Sequence, residues 1–314
     1  MAVLVERWTA TDPAEVGLRP TTADNYRYLL GAHVVPTLGE VRLDSLTKRK
    51  VADLFDAMTG AASTKRGTYA ALVKVLDFAI ERGYLSRNVC RDVKRPAAKA
   101  AGERTVDAKG ARAILAQAVA HPWGVAAFLG FGCGLRRGEV LALRWSDIDL
   151  EGGVLTVTGN TTRSSAGLLR GAPKTRRGVR QVPVPPLVVQ ALQAHRRAQA
   201  AARLAATYWH DEGLVLTNDV GGLVEPRTLS RAWEEWAKAA GVEDTGTHLG
   251  RHYAATSLLA SGAASVADVA ALLGHDPAVL LNTYATAVAA GQRAAVDVLG
   301  ASLTAPVPAP VDPQ

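Results

Sequence analysis

Residues 272–288 read LLGHDPAVLLNTYATAV. Apolar residues at helical spacing stop at Gly274 and restart after Asp276 and Pro277. Glycine suits the left-handed residue that closes a helix. Aspartate accepts from the free N–H groups of a first turn, and proline fits the first helical position, where no N–H is required. The stretch therefore predicts a helix, a tight connection holding His275, and a second helix with Tyr284 nine residues further on. An isolated tyrosine on such a helix is a core aromatic, and Tyr26, Tyr28, Tyr69, Tyr84, Tyr208 and Tyr253 are read that way. Tyr284 differs because of the segments that precede it.

Residues 247–259 read THLGRHYAATSLL. Thr247 is the expected N-cap, which puts His248 at the first helical position and Arg251 one turn on, on the same face. Free N–H groups and the positive dipole end make that terminus receptive to an anion. His252 is expected to point elsewhere, as a packed or surface residue. Residues 132–145, GCGLRRGEVLALRW, place Glu139 three residues after Arg136, where its carboxylate can orient the guanidinium. Arg137 is the alternative and lacks that neighbour. Residues 172–184, APKTRRGVRQVPV, set Lys174 in the connection between two strands. A flexible ammonium there can reach into a groove and give up a proton. Arg176, Arg177 and Arg180 beside it suit phosphate contacts.

Taken singly, each of these has a plainer explanation, as a surface ion pair, a nonspecific phosphate contact or a packed ring. As a set, Arg136, Lys174, His248, Arg251, His275 and Tyr284 combine five groups that are basic, or can become so, with one phenol. Such a set suits an anionic phosphodiester attacked by tyrosine, with no metal or cofactor.

The remainder of the chain supplies the frame. Residues 1–19 form a lead-in of weak helical character. Thr21 or Thr22 opens a helix through about His33, Pro36 and Gly39 mark a turn, Thr47 caps a second helix, and Ser63 begins a third that Gly83 ends. Residues 20–95 thus predict a helical bundle that binds DNA, with Lys48, Lys65, Arg66 and Arg95 as contacts. Residues 96–104, within KRPAAKAAGERT, form a linker, and 105–303 a second domain. There, helices are expected at 107–120, 123–132, 136–143, 186–206, 226–240, 248–260, 265–273, 277–289 and 291–302. Strands are expected near 147–150, 154–158, 180–184 and 214–217. The fold class is mainly α with a small antiparallel β-sheet, in two domains. Residues 304–314 are a Pro-rich tail expected to be disordered.

With 314 residues, 48% hydrophobic and 21% charged, the composition is that of a soluble globular protein long enough for two cores. No stretch is apolar enough to predict a membrane span or a secretory leader. Cys90 and Cys133 both fall within apolar helical patterns and read as buried thiols in a reducing compartment. The net charge of +7 favours a polyanionic partner. Its distribution is more telling. No acidic residue lies between Glu151 and Asp211, a run that carries Arg163, Arg170, Lys174, Arg176, Arg177 and Arg180 among others. The first hundred residues hold 16 Lys and Arg against 11 Asp and Glu. Both halves therefore offer positive surface to a duplex.

Taken in order, GLRRGE, PKTRRGVRQVPV, HLGRH and LLGH with tyrosine nine residues on resemble the tyrosine recombinases, the phage integrase family. The resemblance covers residues 20–300 and includes the helical bundle, which looks like that family's core-binding domain. It implies an α+β catalytic domain in which Arg136 and Arg251 clamp the scissile phosphate and Lys174 protonates the leaving 5′ oxygen. His248 accepts the tyrosine proton, His275 supports the phosphate, Glu139 supports the arginines, and Tyr284 forms a 3′-phosphotyrosine. It further implies double-stranded DNA recombination sites, a homo-tetramer in synapsis with helix 291–302 docked on a neighbour, scope for an accessory directionality factor, and a location in the bacterial cytoplasm at the nucleoid. One departure stands out. Leu249 and Gly250 occupy positions where Asp and Leu are usual, and a helical glycine costs about 1 kcal/mol relative to alanine.

Arginine outnumbers lysine 27 to 9, which suggests a GC-rich host. The short lead-in gives the expectation of a compact phage or mobile-element integrase without an arm-binding domain. A chromosome-dimer resolvase of the same layout is the alternative, as is a catalytically inactive DNA-binding relative.

Overall fold

The computed structural model describes residues 1–97, 106–165, 167–173, 178–243 and 246–304. Two units emerge, Met1–Gly102 with Arg163–Gly167, and Glu103–Thr162 with Leu168–Gln314.

The first unit is helical throughout: α1 (Ala2–Ala10), α2 (Pro20–Leu29), α3 (Val35–Leu38), α4 (Lys48–Ala57) and α5 (Ala62–Glu81). Two expectations change here. Residues 1–19 are not a loose lead-in. Leu4, Val5 and Trp8 of α1 are buried in the same core as Leu30, Val34, Leu54 and Leu72. Burial of side chains of this size stabilises by about 1.5–3 kcal/mol each, enough to tie down a short helix. Nor is Pro36 a turn. A π-helical turn over Leu30–Val34 leads directly into α3, so the helical path carries on through the proline. Proline cannot donate to the preceding turn and its ring crowds it, and a widened turn relieves both faults. Thr47 caps α4 as expected, its hydroxyl accepting from the Lys50 amide at 3.4 Å.

In the second unit α7 (Val125–Cys133) is buried on almost every side, consistent with its unbroken apolar sequence. Around it lie α6 (Ala108–Ala118), α9 (Pro186–Ala205), α10 (Pro226–Ala239) and α11 (Leu249–Ala260). A short helix α8 (Arg137–Ala142) follows α7. Strands β1 (Ile148–Asp149), β2 (Val154–Val157) and β5 (Arg180–Pro183) form an antiparallel sheet in the order β1-β2-β5. The register Leu155↔Val182 turns Leu155, Val157 and Val182 into the core.

A hairpin of β3 (Asn160–Ser164) and β4 (Gly167–Gly171) lies between β2 and β5 and was not expected. Its first strand, NTTRS, has no apolar alternation to reveal it. Conversely, the strand expected at 214–217 reduces to a single bridge between Leu214 and Arg144. Leu214, Val215 and Leu216 are all buried, so a continuous apolar run served the core without a ladder. Cys90 and Cys133 are free, and burial pushes each thiol up to about 12.

The C-terminal elements are α12 (Val266–Leu273), α13 (Pro277–Thr283) and α14 (Ala285–Thr304). The helix breaks at Tyr284, with φ −124° and ψ 34°, and not near residue 290. Gly291, expected to begin a separate helix, lies inside α14. A Cβ there would come within 2.0 Å of the Leu259 carbonyl oxygen, so glycine is what lets α14 cross α11. Ala287 is buried in this crossing, while Val296 is 66% exposed. The expected linker falls largely outside the described residues, and so do Lys174, Arg176, Arg177 and residues 305–314.

Candidate active site

The site forms where α7 and α12 end and α11 begins. Gly134 closes α7 and Gly274 closes α12, both in the left-handed conformation. Helix C-termini leave carbonyls without partners and carry partial negative charge, so they attract cations. Three guanidiniums answer. Arg251 donates to the Gly134 carbonyl at 2.8 Å and to the Leu273 carbonyl. Arg136 donates to Gly274 O at 3.1 Å and reaches Leu273 O at 3.5 Å. Arg180 donates through Nε to Leu272 O at 2.6 Å.

A single carboxylate braces the cluster. Glu139 is buried and accepts from Arg136 Nη1 at 2.7 Å and from Arg180 at 3.0 and 3.2 Å. It also reaches back to the Arg136 amide at 2.9 Å, which makes Arg136 the N-cap of α8. Burial alone would raise the Glu139 carboxyl, but the hydrogen bonds and charge of Arg180, with the Arg136 amide, hold it below its ordinary value. Burial, together with Arg136, lowers Arg251, which nevertheless stays protonated at neutral pH. Three guanidiniums face one carboxylate, so the site has surplus positive charge for an anion.

The structure separates the sequence candidates. Arg136, His248, Arg251, His275, Tyr284 and Glu139 come together. Arg137 turns away and donates to Ser230 Oγ at 2.5 Å, which decides between the two adjacent arginines. Arg180, expected on DNA, is instead a buried brace on Glu139, its side chain only 6% exposed. His248 is the N-cap of α11, one position earlier in the helix than expected. Its imidazole is lowered by burial and then by its neighbours His252, Arg251, Arg137 and Arg136. His275 is lowered to about 4 by burial and then by Arg251, Arg136, Arg180 and His252. It is therefore neutral at pH 7, and its Nδ1 is buried with no hydrogen-bond partner.

Tyr284 is 2% exposed, and its hydroxyl lies 2.6 Å from His252 Nδ1. His252 thus belongs to the site that the sequence reading denied it. The signal was available. His248 and His252 are four apart on one helix, so they share a face.

Gly250, the departure from the usual motif, also has a physical reason. A Cβ there would sit 2.8 Å from the Gly130 carbonyl carbon and 3.0 Å from the Phe131 amide nitrogen. Glycine lets α11 lie directly against the backbone of α7, and that approach carries Arg251 to the end of α7.

In the first unit, Lys48, Lys65 and Arg95 line one groove with Arg91, Lys94 and Phe55. Lys65 Nζ donates to the Phe55 carbonyl at 2.9 Å. Arg66 is half-buried and Arg163 exposed.

Residues 111–290 match the model of the phage integrase family. The chain belongs to the phage integrase family. A relative described as tyrosine recombinase XerC-like, from Caldanaerobacter subterraneus, is 29% identical over 243 residues, covering 71% of this chain and 62% of its own length. The prophage phiRv2 integrase of Mycobacterium tuberculosis is 26% identical over 263 residues, covering 83% of this chain and 68% of its own. This chain thus spans only about two-thirds of the length of these relatives. The fold of this phage integrase family member matches that of the Tn1549 transposon integrase in complex with transposon right end DNA. The TM-score is 0.73 at 21% identity, covering 96% of this chain and all of that one.

Proposed function

We propose that this chain is a site-specific recombinase that breaks and rejoins double-stranded DNA through a covalent 3′-phosphotyrosine at Tyr284. The observation that carries the reading is a phenol placed against an imidazole, beside Arg136 and Arg251. Phosphoryl transfer depends on position and on stabilising charge at the non-bridging oxygens. Arg136 and Arg251 are locked by helix-end carbonyls and Glu139, and each guanidinium has five N–H donors, so donors remain for phosphate. Donors fixed in advance stabilise the transition state without reorganising at the moment of reaction.

His275, held neutral, donates or accepts one hydrogen bond and carries no charge of its own. Lys174 is assigned the proton delivered to the leaving 5′ oxygen. The ester to Tyr284 conserves the energy of the broken bond, so rejoining needs no nucleotide. The basic groove of the first unit, with Lys48, Lys65 and Arg95, serves as the accompanying DNA contact, together with Arg66, Arg163, Arg176 and Arg177. Strand exchange between two duplexes needs several protomers. Helix α14 packs on α11 through Ala287 and Gly291 but exposes Val296, which supports docking of its far end on a second copy. The prophage and transposon relatives favour a mobile-element integrase at the bacterial nucleoid, with a directionality factor as a further partner.

The test is adduct capture. A duplex nicked near the cleavage point should trap a detergent-stable protein–DNA adduct that disappears in Tyr284→Phe, while DNA binding persists. An adduct that survives Tyr284→Phe removes Tyr284 as nucleophile. Lys174→Ala should slow cleavage and be rescued by a 5′ leaving group that needs no proton.

A further inference from the structure

We infer that His252 is the catalytic base of this site, taking the Tyr284 proton directly through Nδ1. The inference rests on the recombinase reading for its chemistry, but the contact itself does not. Nδ1 lies 2.6 Å from the phenol oxygen, the two ring centroids are 5.5 Å apart, and the planes are inclined at 54°. Tyr284 is buried at the kink between α13 and α14, where Leu280 and Ala287 pack with it and α11 supplies the other wall. The imidazole therefore stands at a fixed distance from the reacting atom.

A short bond between a phenol and an imidazole nitrogen has two forms. In one the phenol donates to a neutral ring. In the other an imidazolium donates to a phenolate. These are the start and end of a single proton transfer, and no atom has to move by more than the length of an O–H bond to connect them. His248, the expected acceptor, is four residues earlier on the same helix and caps it. Its positive neighbours oppose its protonation, and Arg137 and Arg136 are among them.

Charged and titratable groups surround His252 from several elements. On its own helix they are His248 and Arg251, and from the turn after α12 comes His275. Cys133 lies on the packed helix α7, Tyr284 faces the ring from the junction of α13 and α14, and Arg293 of α14 is exposed. Arg251 stabilises the phenolate that the transfer creates, since each feels the other's charge.

The step balances. The Tyr284 O–H proton moves to His252 Nδ1, and the freed oxygen pair forms the O–P bond. The P–O5′ bond then breaks, and the departing oxygen takes its proton from Lys174. On rejoining, the 5′ hydroxyl returns its proton to Lys174 and attacks phosphorus, the O–P bond to Tyr284 breaks, and His252 returns its proton to the phenol oxygen.

Two measurements test this. The first uses the full chain without DNA, carrying 3-fluorotyrosine at position 284. Its ¹⁹F resonance should show an inflection from protonation of the adjacent imidazole that is lost in His252→Asn. An inflection unchanged by His252→Asn overturns the pairing. The second is single-turnover cleavage of a nicked duplex carrying a site located by sequencing covalent adducts. Asparagine places a carbonyl acceptor near the Nδ1 position but takes no proton. His252→Asn should cleave about 10²-fold more slowly at pH 7, with the deficit shrinking as pH rises toward 10, the free phenol range. The acidified 3-fluorotyrosine should recover part of the loss, a gain that a misfolded variant would not show. Cleavage by His252→Asn at the wild-type rate and pH profile overturns the base role. Absence of any adduct from the wild-type chain defeats the recombinase reading and with it the base role, while the ¹⁹F measurement still decides the pairing.

Discussion

Arg180 and Glu139 form a buried two-pronged ion pair, with N–O distances of 3.0 and 3.2 Å. The same carboxylate holds Arg136 at 2.7 Å, so one side chain sets the position of a partly exposed guanidinium and of a buried one. Burying such charges is costly, and removing one partner leaves the other uncompensated. Glu139→Gln should therefore destabilise the second unit by about 3–5 kcal/mol, read as a lower urea midpoint. The double change Glu139→Gln with Arg180→Met should cost less than the single one. If it costs more, the pair is not the source of the loss.

Gly250→Ala sets two effects against each other. Helix propensity favours alanine by about 1 kcal/mol. The added methyl, 2.8 Å from the Gly130 backbone, forces α7 and α11 apart. Overpacking of this kind costs about 1–3 kcal/mol, and here the obstacle is backbone, which cannot rotate away. The expected outcome is a lower melting temperature together with slower cleavage, because Arg251 shifts with its helix. A variant that is more stable than wild type would show that the crossing can relax.

Lys48, Lys65, Arg66 and Arg95 should act as sequence-independent phosphate contacts. Each single alanine variant should weaken binding to specific and random duplexes by similar factors. Each should also reduce the slope of log K against log salt by about one. Filter binding or fluorescence anisotropy between 50 and 200 mM salt measures this. Arg180→Ala should leave the slope unchanged, since its guanidinium is committed to Glu139.

Folding stability should fall on mild acidification. His275 is lowered to about 4, and His248, His195 and His121 are lowered as well, in each case chiefly by burial. Each therefore binds a proton more readily when unfolded, where imidazole titrates near about 6.5. Stability linked to these groups is intact above that pH and is lost as pH falls from about 6.5 toward 4. Glu139 is lowered too, so its share is intact above the ordinary carboxyl range and disappears only below it. Urea midpoints at pH 7.5, 6 and 5 should decline steadily. A flat profile over that range would contradict the neutral, buried state of these rings.

Much of the site was legible because its motifs are local. The Gly274, Asp276 and Pro277 punctuation located the connection that holds His275, and the spacing of Arg136 and Glu139 announced their contact. The His248 to Arg251 spacing did the same for one helix face. What was misread depended on partners distant in sequence. Arg180 looked like one more surface arginine in a basic run, and only the fold places the end of α12 and Glu139 around it. Two helices were expected to part at residue 290, yet α14 runs through it, and the missing side chain of Gly291 answers to the close approach of α11.

Residue order alone determined the two-domain, mainly helical class, the excess of positive charge and the singling out of Tyr284 from the other tyrosines. Periodicity, capping and charge are properties of neighbours along the chain. Tertiary structure alone decided which of two adjacent arginines enters the site, which arginine braces it, and which histidine meets Tyr284. Those choices depend on how α7, α11 and α12 cross, and crossing is set by packing between segments more than a hundred residues apart, such as Gly134 and Arg251.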